Sequence, residues 1–118
     1  MEKKIYISGK MGEKVLSQAT IEKFNKAEEK LKGAGRDVMN PASHKFQEAL
    51  NEVLAYHRSN RKLRNEQAEI LLFDLSCIAR CDAIYMLRDW KESPGAKAEY
   101  YFAKAIGIEI LHEYESNT

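Results

Sequence analysis

Residues 81–107 read CDAIYML, RDWKESPG and AKAEYYFAKAIG in succession, and the reading of this stretch decides the fold. Asp82–Leu87 is short, apolar and followed by turn-type residues, which predicts a buried strand. Ala98, Phe102, Ala105 and Ile106 recur at helical spacing, so the last part predicts a helix. Ser93 suits its N-cap, and Pro94 suits the first turn, where a missing N–H costs nothing. Gly95 permits close approach of a ligand to the backbone, and Glu99 lies one turn further on the same side. Strand, glycine turn, anion-attracting helix start and neighbouring carboxylate together predict a ligand site.

Working outward, the N-terminal IYIS (Ile5–Ser8) predicts a first strand that ends in Ser8-Gly9-Lys10, the kind of polar turn where open α/β sheets bind ligands. Ile21, Phe24, Ala27, Glu28 and Leu31 then trace a helix that stops at Gly33 and Gly35. Thr20 offers it an N-cap, with Glu13 as the earliest start. Arg36–Asn40 predicts a second strand broken by Asn40-Pro41, and Ile108–Leu111 a fourth after the central stretch. Such βαβ units predict one α/β domain over 1–118, a doubly wound, Rossmann-like or flavodoxin-like parallel sheet of about four strands with flanking helices.

The second crossover is long. Phe46, Leu50, Val53 and Leu54 predict a helix over Lys45–His57, and Leu71, Leu75 and Ile78 stripe another over Asn65–Arg80. Asp74 falls at the margin of that stripe. A carboxylate near a core face must be paired, capping or functional. His57–Arg64 is basic but flanked by acidic residues, which favours a solvated face over a phosphate site.

Composition narrows the function classes. Among 118 residues, 44% are hydrophobic and 31% charged, the balance of a soluble globular protein. A formal net charge of +1 argues against binding nucleic acid by bulk charge. No apolar run approaches the ~20 residues of a membrane span, and MEKKIYISG lacks a signal-peptide core, so a cytoplasmic protein is expected. Cys77 and Cys81 have no second Cys/His pair near them, which indicates neither a zinc site nor a disulfide framework.

Tyr6-Ile7-Ser8-Gly9 after the first strand, Asp74 eight residues before Asp82, and Ser93-Pro94-Gly95-Ala96-Lys97-Ala98-Glu99 resemble the nucleoside 2-deoxyribosyltransferase superfamily. The ISGKM start, the NPA after strand two and the CDAIYML strand resemble a small bacterial and phage branch of it. The nearest functional relatives this suggests are the 2′-deoxynucleoside 5′-phosphate N-hydrolases. The resemblance implies that Glu99 is the catalytic carboxylate at C1′ of the sugar. It implies that Asp74 transfers or orients a proton near the departing base, and that Tyr6 places Glu99 and the sugar. Gly9, Ser93 and Gly95 match the turns that hold a 5′-phosphate. Ser8 and Lys10 belong to the first of those turns, and Asp82 supports the strand.

This chain departs from the hydrolase pattern in its first loop, where Lys10 and Gly12 stand in place of a serine and an arginine. Lys10, Lys14 or Arg88 would have to supply the cation, as point charges or with different reach. The loop before Ser93 is longer and carries Trp90, which offers a stacking surface for a base.

The implied chemistry is cleavage or transfer at the N-glycosidic bond of a (deoxy)nucleoside or its 5′-monophosphate, with no metal or other cofactor. An oxocarbenium-like sugar needs a carboxylate beside C1′, and the leaving base needs an acid. Glu99, near a helix start, is expected to stay ionised, while Asp74 is the carboxyl with a raised pKa. The expected partners are a nucleoside or nucleotide and a second copy in a homodimer, with no nucleic acid and no membrane. The alternative is a non-catalytic module that senses or sequesters a nucleotide in the same pocket. Convergence of Glu99, Asp74 and Tyr6 on one pocket favours the enzyme; a salt-bridged, sealed Glu99 favours the binder.

Overall fold

Four strands, β1 (Lys4–Ser8), β2 (Asp37–Met39), β3 (Ala83–Met86) and β4 (Glu109–His112), form one all-parallel sheet in the order β2-β1-β3-β4. The computed structural model describes residues 3–11 and 15–113. Four helices fill the connections: α1 (Gln18–Gly33), α2 (His44–Ser59), α3 (Glu66–Ile78) and α4 (Pro94–Ile106). This is the doubly wound α/β fold expected from the strand–helix alternation, including the extra helix of the second crossover.

The period of two along each strand divides the core. Ile5 and Ile7 of β1, with Ala83, Tyr85 and Leu87, meet Phe24, Ala27 and Leu31 of α1 on one face of the sheet. Tyr6, Ile84 and Met86 meet Phe46 of α2, Ile78 of α3 and Ala103 of α4 on the other. Phe24 has no exposed surface, so Phe24→Ala is a core truncation of the type that costs about 3–5 kcal/mol.

Local chemistry sets the element ends. Ser17, not Thr20, caps α1: its hydroxyl accepts from the Thr20 N–H at 3.2 Å, while Thr20 turns into the core. Glu13, the earlier start allowed by the sequence, lies outside the described residues, as do Gly12 and Lys14. Asn40 is buried and fully used, accepting from the Ala42 N–H at 2.8 Å and donating to Asn25 Oδ1 and Glu28 Oε1. It thereby ties the turn after β2 to α1. Gly107, at φ 80°, ends α4 in the left-handed conformation that glycine adopts without strain.

One sequence expectation changes in detail. The apolar stripe of α3 is only partly covered: Ile78 is buried, Leu71 and Leu75 are half-buried, and Leu72 is 59% exposed. The basic stretch that begins in the last turn of α2 meets acidic side chains, as its flanks suggested: Arg58 pairs with Glu66 at 2.9 Å, and His57 Nε2 lies 3.4 Å from Glu69. Among the described residues no helix is long and apolar enough to cross a membrane.

From β1 the chain passes to β2 on one side, and the long crossover from β2 then places β3 on the other side of β1. The crevice beyond the carboxyl ends of β1 and β3 is therefore the topological switch point, where open α/β sheets take ligands. Ser8 and Met86 lie in register there, at the ends of their strands.

Candidate functional site

Glu99 reaches the switch point from α4. Ser93 caps that helix by accepting from the Ala96 N–H at 3.1 Å, with Pro94 at the first position, as the sequence requires. Ala96, Glu99 and Ala103 then fall on the buried face, the small alanines allowing α4 to approach the sheet. Glu99 is only 6% exposed. On β1, Tyr6 and Ser8 are two residues apart, share one face and are each 1% exposed.

These residues meet at one carboxylate. The Ser8 hydroxyl donates to Glu99 Oε1 at 2.6 Å, and the Tyr6 hydroxyl donates to Glu99 Oε2 at 3.2 Å. Asp74, half-buried on α3, stands close enough to Glu99 for the two carboxyl groups to interact. Two carboxyl groups can bond each other only if one carries a proton. Tyr6 also sits edge-on to Phe46, with ring centroids 6.3 Å apart, and Phe46 contacts Phe73 in the same way at 5.3 Å. An aromatic wall thus backs the polar cluster.

Electrostatics follows from burial. Removal from water pushes the Asp74 carboxyl up to about 7. Burial, followed by the charge of Asp74, raises Glu99 well above the usual carboxylate range. The expectation that the helix dipole keeps Glu99 ionised is therefore corrected. Glu99 is the sixth residue of α4, beyond the first turn where the dipole acts, and desolvation outweighs the dipole there. Both shifts favour retention of a proton by the pair towards neutral pH. Burial and the two carboxylates raise the Tyr6 hydroxyl too, which keeps it a donor. No ion pair to Glu99 or Asp74 occurs among the described residues, so hydroxyls rather than cations hold the cluster.

The remaining candidates line the rim or stand elsewhere. Gly95 is exposed, and a Cβ placed there would meet only Ser93 Oγ at 3.8 Å, which leaves its backbone open to approach. Gly9 has a different reason to be glycine: a Cβ there would stand 2.7 Å from Leu87 Cδ1, so close packing on β3 requires it. Lys10 is exposed, with its ammonium 3.5 Å from Glu92. Arg88 is drawn to the end of β4, its backbone N–H donating to Glu113 at 2.8 Å. Asp82 accepts from the Lys4 N–H at 2.8 Å, the strand-supporting part expected of it.

Trp90 is not brought to the carboxyl cluster. It stacks on Tyr100, with centroids 4.5 Å apart, and lines an open groove of about 580 Å³ with Met86, Leu87, Arg88, Lys91, Tyr101 and His112. Tyr6, Asp74 and Glu99 do not line that groove. Both cysteines are free, and burial raises both thiols, Cys81 to about 11, which makes it a poor nucleophile. No metal-ligating cluster occurs among the described residues.

Sequence reading missed the hold of Ser8 on Glu99, although its spacing from Tyr6 already placed both on one strand face. It also missed the strap made by Lys23. The ammonium of Lys23 donates to Asp89 Oδ2 at 2.6 Å and to the Lys10 carbonyl at 2.8 Å, while Asp89 Oδ1 accepts from the Lys10 N–H at 3.0 Å. This strap joins the loop after β1 to the loop after β3, and no local pattern announces so distant a contact.

The class is thus a doubly wound α/β protein with a hydroxyl-bound carboxyl pair at its switch point. Over residues 3–112 the sequence matches the family described as Domain of unknown function (DUF4406), and the chain belongs to that family. No curated protein matches the chain.

Proposed function

We propose that this protein cleaves, or transfers the sugar across, the N-glycosidic bond of a (deoxy)nucleoside or nucleoside 5′-monophosphate. The observation that carries the reading is the convergence of Asp74, Tyr6 and Ser8 on Glu99 at the switch point, where burial raises both carboxyl groups. The similarity of the Tyr6–Gly9 and Ser93–Glu99 motifs to nucleoside 2-deoxyribosyltransferases supports it.

In this mechanism the C1′–N bond breaks with its electron pair going to the base. The proton of the carboxyl pair, delivered by Asp74, neutralises the base nitrogen as it leaves. An oxygen of Glu99 bonds to C1′ or stabilises its cationic character. Water then attacks C1′ and returns a proton to the pair, which completes hydrolysis. A second base attacking in place of water completes transfer. The α4 start, with Ser93 and Gly95, and the Ser8-Gly9-Lys10 turn would receive a 5′-phosphate. Trp90, in its separate groove, has no part in this reading.

The reading extends to a cytoplasmic homodimer. α3 is rich in apolar residues but buries only Ile78, and Leu72 on its outer side is exposed, as expected of a helix that meets a second copy. A second reading, a nucleotide-binding module without turnover, draws on the burial of Glu99, since a nearly covered carboxylate is less open to C1′.

Free-base release from a panel of nucleosides and 5′-monophosphates, comparing wild type with Glu99→Ala, decides between them. Release by the wild type that falls at least about 10³-fold in the variant is the expected result. Equal release by both overturns the assignment of Glu99. Saturable nucleotide binding without release selects the second reading.

A further inference from the structure

Glu99 presents an unusual physical problem. It is a carboxylate 6% exposed, with no Lys, Arg or His paired to it among the described residues. An anion in such a place is tolerable only where hydrogen-bond donors replace the lost water. Two donors do so, and they are unequal. The Ser8 contact, at 2.6 Å, has the length of a strong hydroxyl–carboxylate bond, while the Tyr6 contact is longer at 3.2 Å.

Ser8 is also the more rigidly held of the two. Its backbone carbonyl accepts from the Leu87 N–H at 2.8 Å, and its residue lies in register with Met86 in the sheet interior. Its side chain is short, so the hydroxyl has little freedom to follow Glu99 elsewhere. Gly9, packed against Leu87, fixes the chain immediately after it. At 1% exposure the Ser8 residue is almost wholly out of contact with solvent.

We propose that Ser8 is the positioning residue of the site: its hydroxyl ties down Oε1 of Glu99, and so fixes the orientation of the carboxyl group. The proposal rests on the assignment of Glu99 above but concerns a different residue. The weaker-held Oε2 is then the oxygen freer to exchange its contact with Tyr6 for one with C1′. Ser8 does not itself touch the reacting atoms. The titratable groups facing Glu99 are Tyr6 from β1 and Asp74 from α3, with Cys77 behind Asp74 on the same helix. The groups from β3 and α2 at this face, Ile84, Met86 and Phe46, are apolar. Ser8 is therefore the donor that acts on Glu99 without itself titrating in the working range.

The test reads the carboxyl group directly, independent of turnover. Protein labelled with ¹³C at glutamate side-chain carboxyl groups is titrated by NMR, and Glu99→Gln identifies the Glu99 signal. Ser8→Ala is expected to move the Glu99 midpoint upward by about one pH unit, a roughly tenfold loss of ionised form at a given pH. Ser8→Cys, close in size but a weak donor, is expected to fall between the two. On the same samples, base-release kinetics are expected to show a reduced kcat with little change in KM for Ser8→Ala, and an acid limb displaced upward. A Glu99 midpoint unmoved in both variants overturns the role of Ser8, whether or not base is released. A moved midpoint together with no base release by the wild type upholds the hold of Ser8 on Glu99 and overturns glycosidic cleavage instead.

Discussion

Two regions flank α4, and they differ in every respect that usually marks a binding site. One is the polar cluster of Tyr6, Ser8, Asp74 and Glu99, small, largely covered and closed by hydrogen bonds. The other is the groove of Trp90, Tyr100, Tyr101 and His112, open, aromatic and about 580 Å³ in volume. Space alone would favour the groove. Chemistry favours the cluster, because there burial raises two neighbouring carboxyls and the sheet topology provides a switch point. The lesson is that a cavity states where a molecule fits, whereas perturbed acids state where a bond can be broken.

Substitution on the two sides of α4 is the most direct attempt to break this contrast. Asp74→Asn removes the proposed leaving-group acid and is expected to lower kcat for base release by roughly 10²-fold, most for bases that leave poorly. Trp90→Ala is expected to leave kcat within about threefold, since its ring packs on Tyr100. Equal losses in the two variants, measured in one base-release assay, would merge the regions into one site.

Stability against pH sharpens the difference next. Asp74 and Glu99 have folded pKa values above those of the unfolded chain, so between about pH 4 and 7 the native state holds protons that the unfolded state has released. Stability must then fall as pH rises through this window, by about 1.4 kcal/mol per pH unit for each proton so retained. Asp89 has the opposite sign, its pKa being lowered by Lys23 and the Lys10 N–H, and its contribution is lost only as pH falls below about 4. Denaturant titrations from pH 4.5 to 7.5 are expected to show a shallower fall in Asp74→Asn than in wild type. An identical slope would remove Asp74 from the proton-sharing pair.

The smallest expected effect concerns the link between the regions. Lys23, half-buried with Asp89, joins the first loop to the loop that carries Trp90. Lys23→Met is expected to cost about 1–2 kcal/mol in denaturant unfolding, the range of a charge-assisted hydrogen bond. A loss below about 0.3 kcal/mol would show that the two loops are held by packing instead.

How far each region was legible in the sequence follows from the range of the forces that build it. IYIS and CDAIYML announced buried parallel strands, because a strand covered on both faces has no polar alternation to show. Ser93-Pro94 announced α4, because capping and proline geometry act within one turn. Glu99, Asp74 and Tyr6 were identifiable as catalytic candidates from local pattern and resemblance, and Ser8 and Gly9 as part of a polar substrate-binding turn, but not Ser8 as a partner of Glu99. Trp90, read as a base-stacking residue, found a neighbour in Tyr100 that no local rule predicts.

By itself, then, the sequence determined the elements, their parallel order and the residue types available for chemistry, since propensity, periodicity and capping are short-range. The tertiary structure alone decided which of those residues meet. Tyr6 and Ser8 lie more than ninety positions from Glu99, and only the docking of α4 on β1 and α3 brings hydroxyls and carboxyls into one desolvated cluster. That desolvation reversed the expected direction of the Glu99 shift: the pull of a helix dipole is local and can be read from position, but the loss of water depends on everything packed around the group.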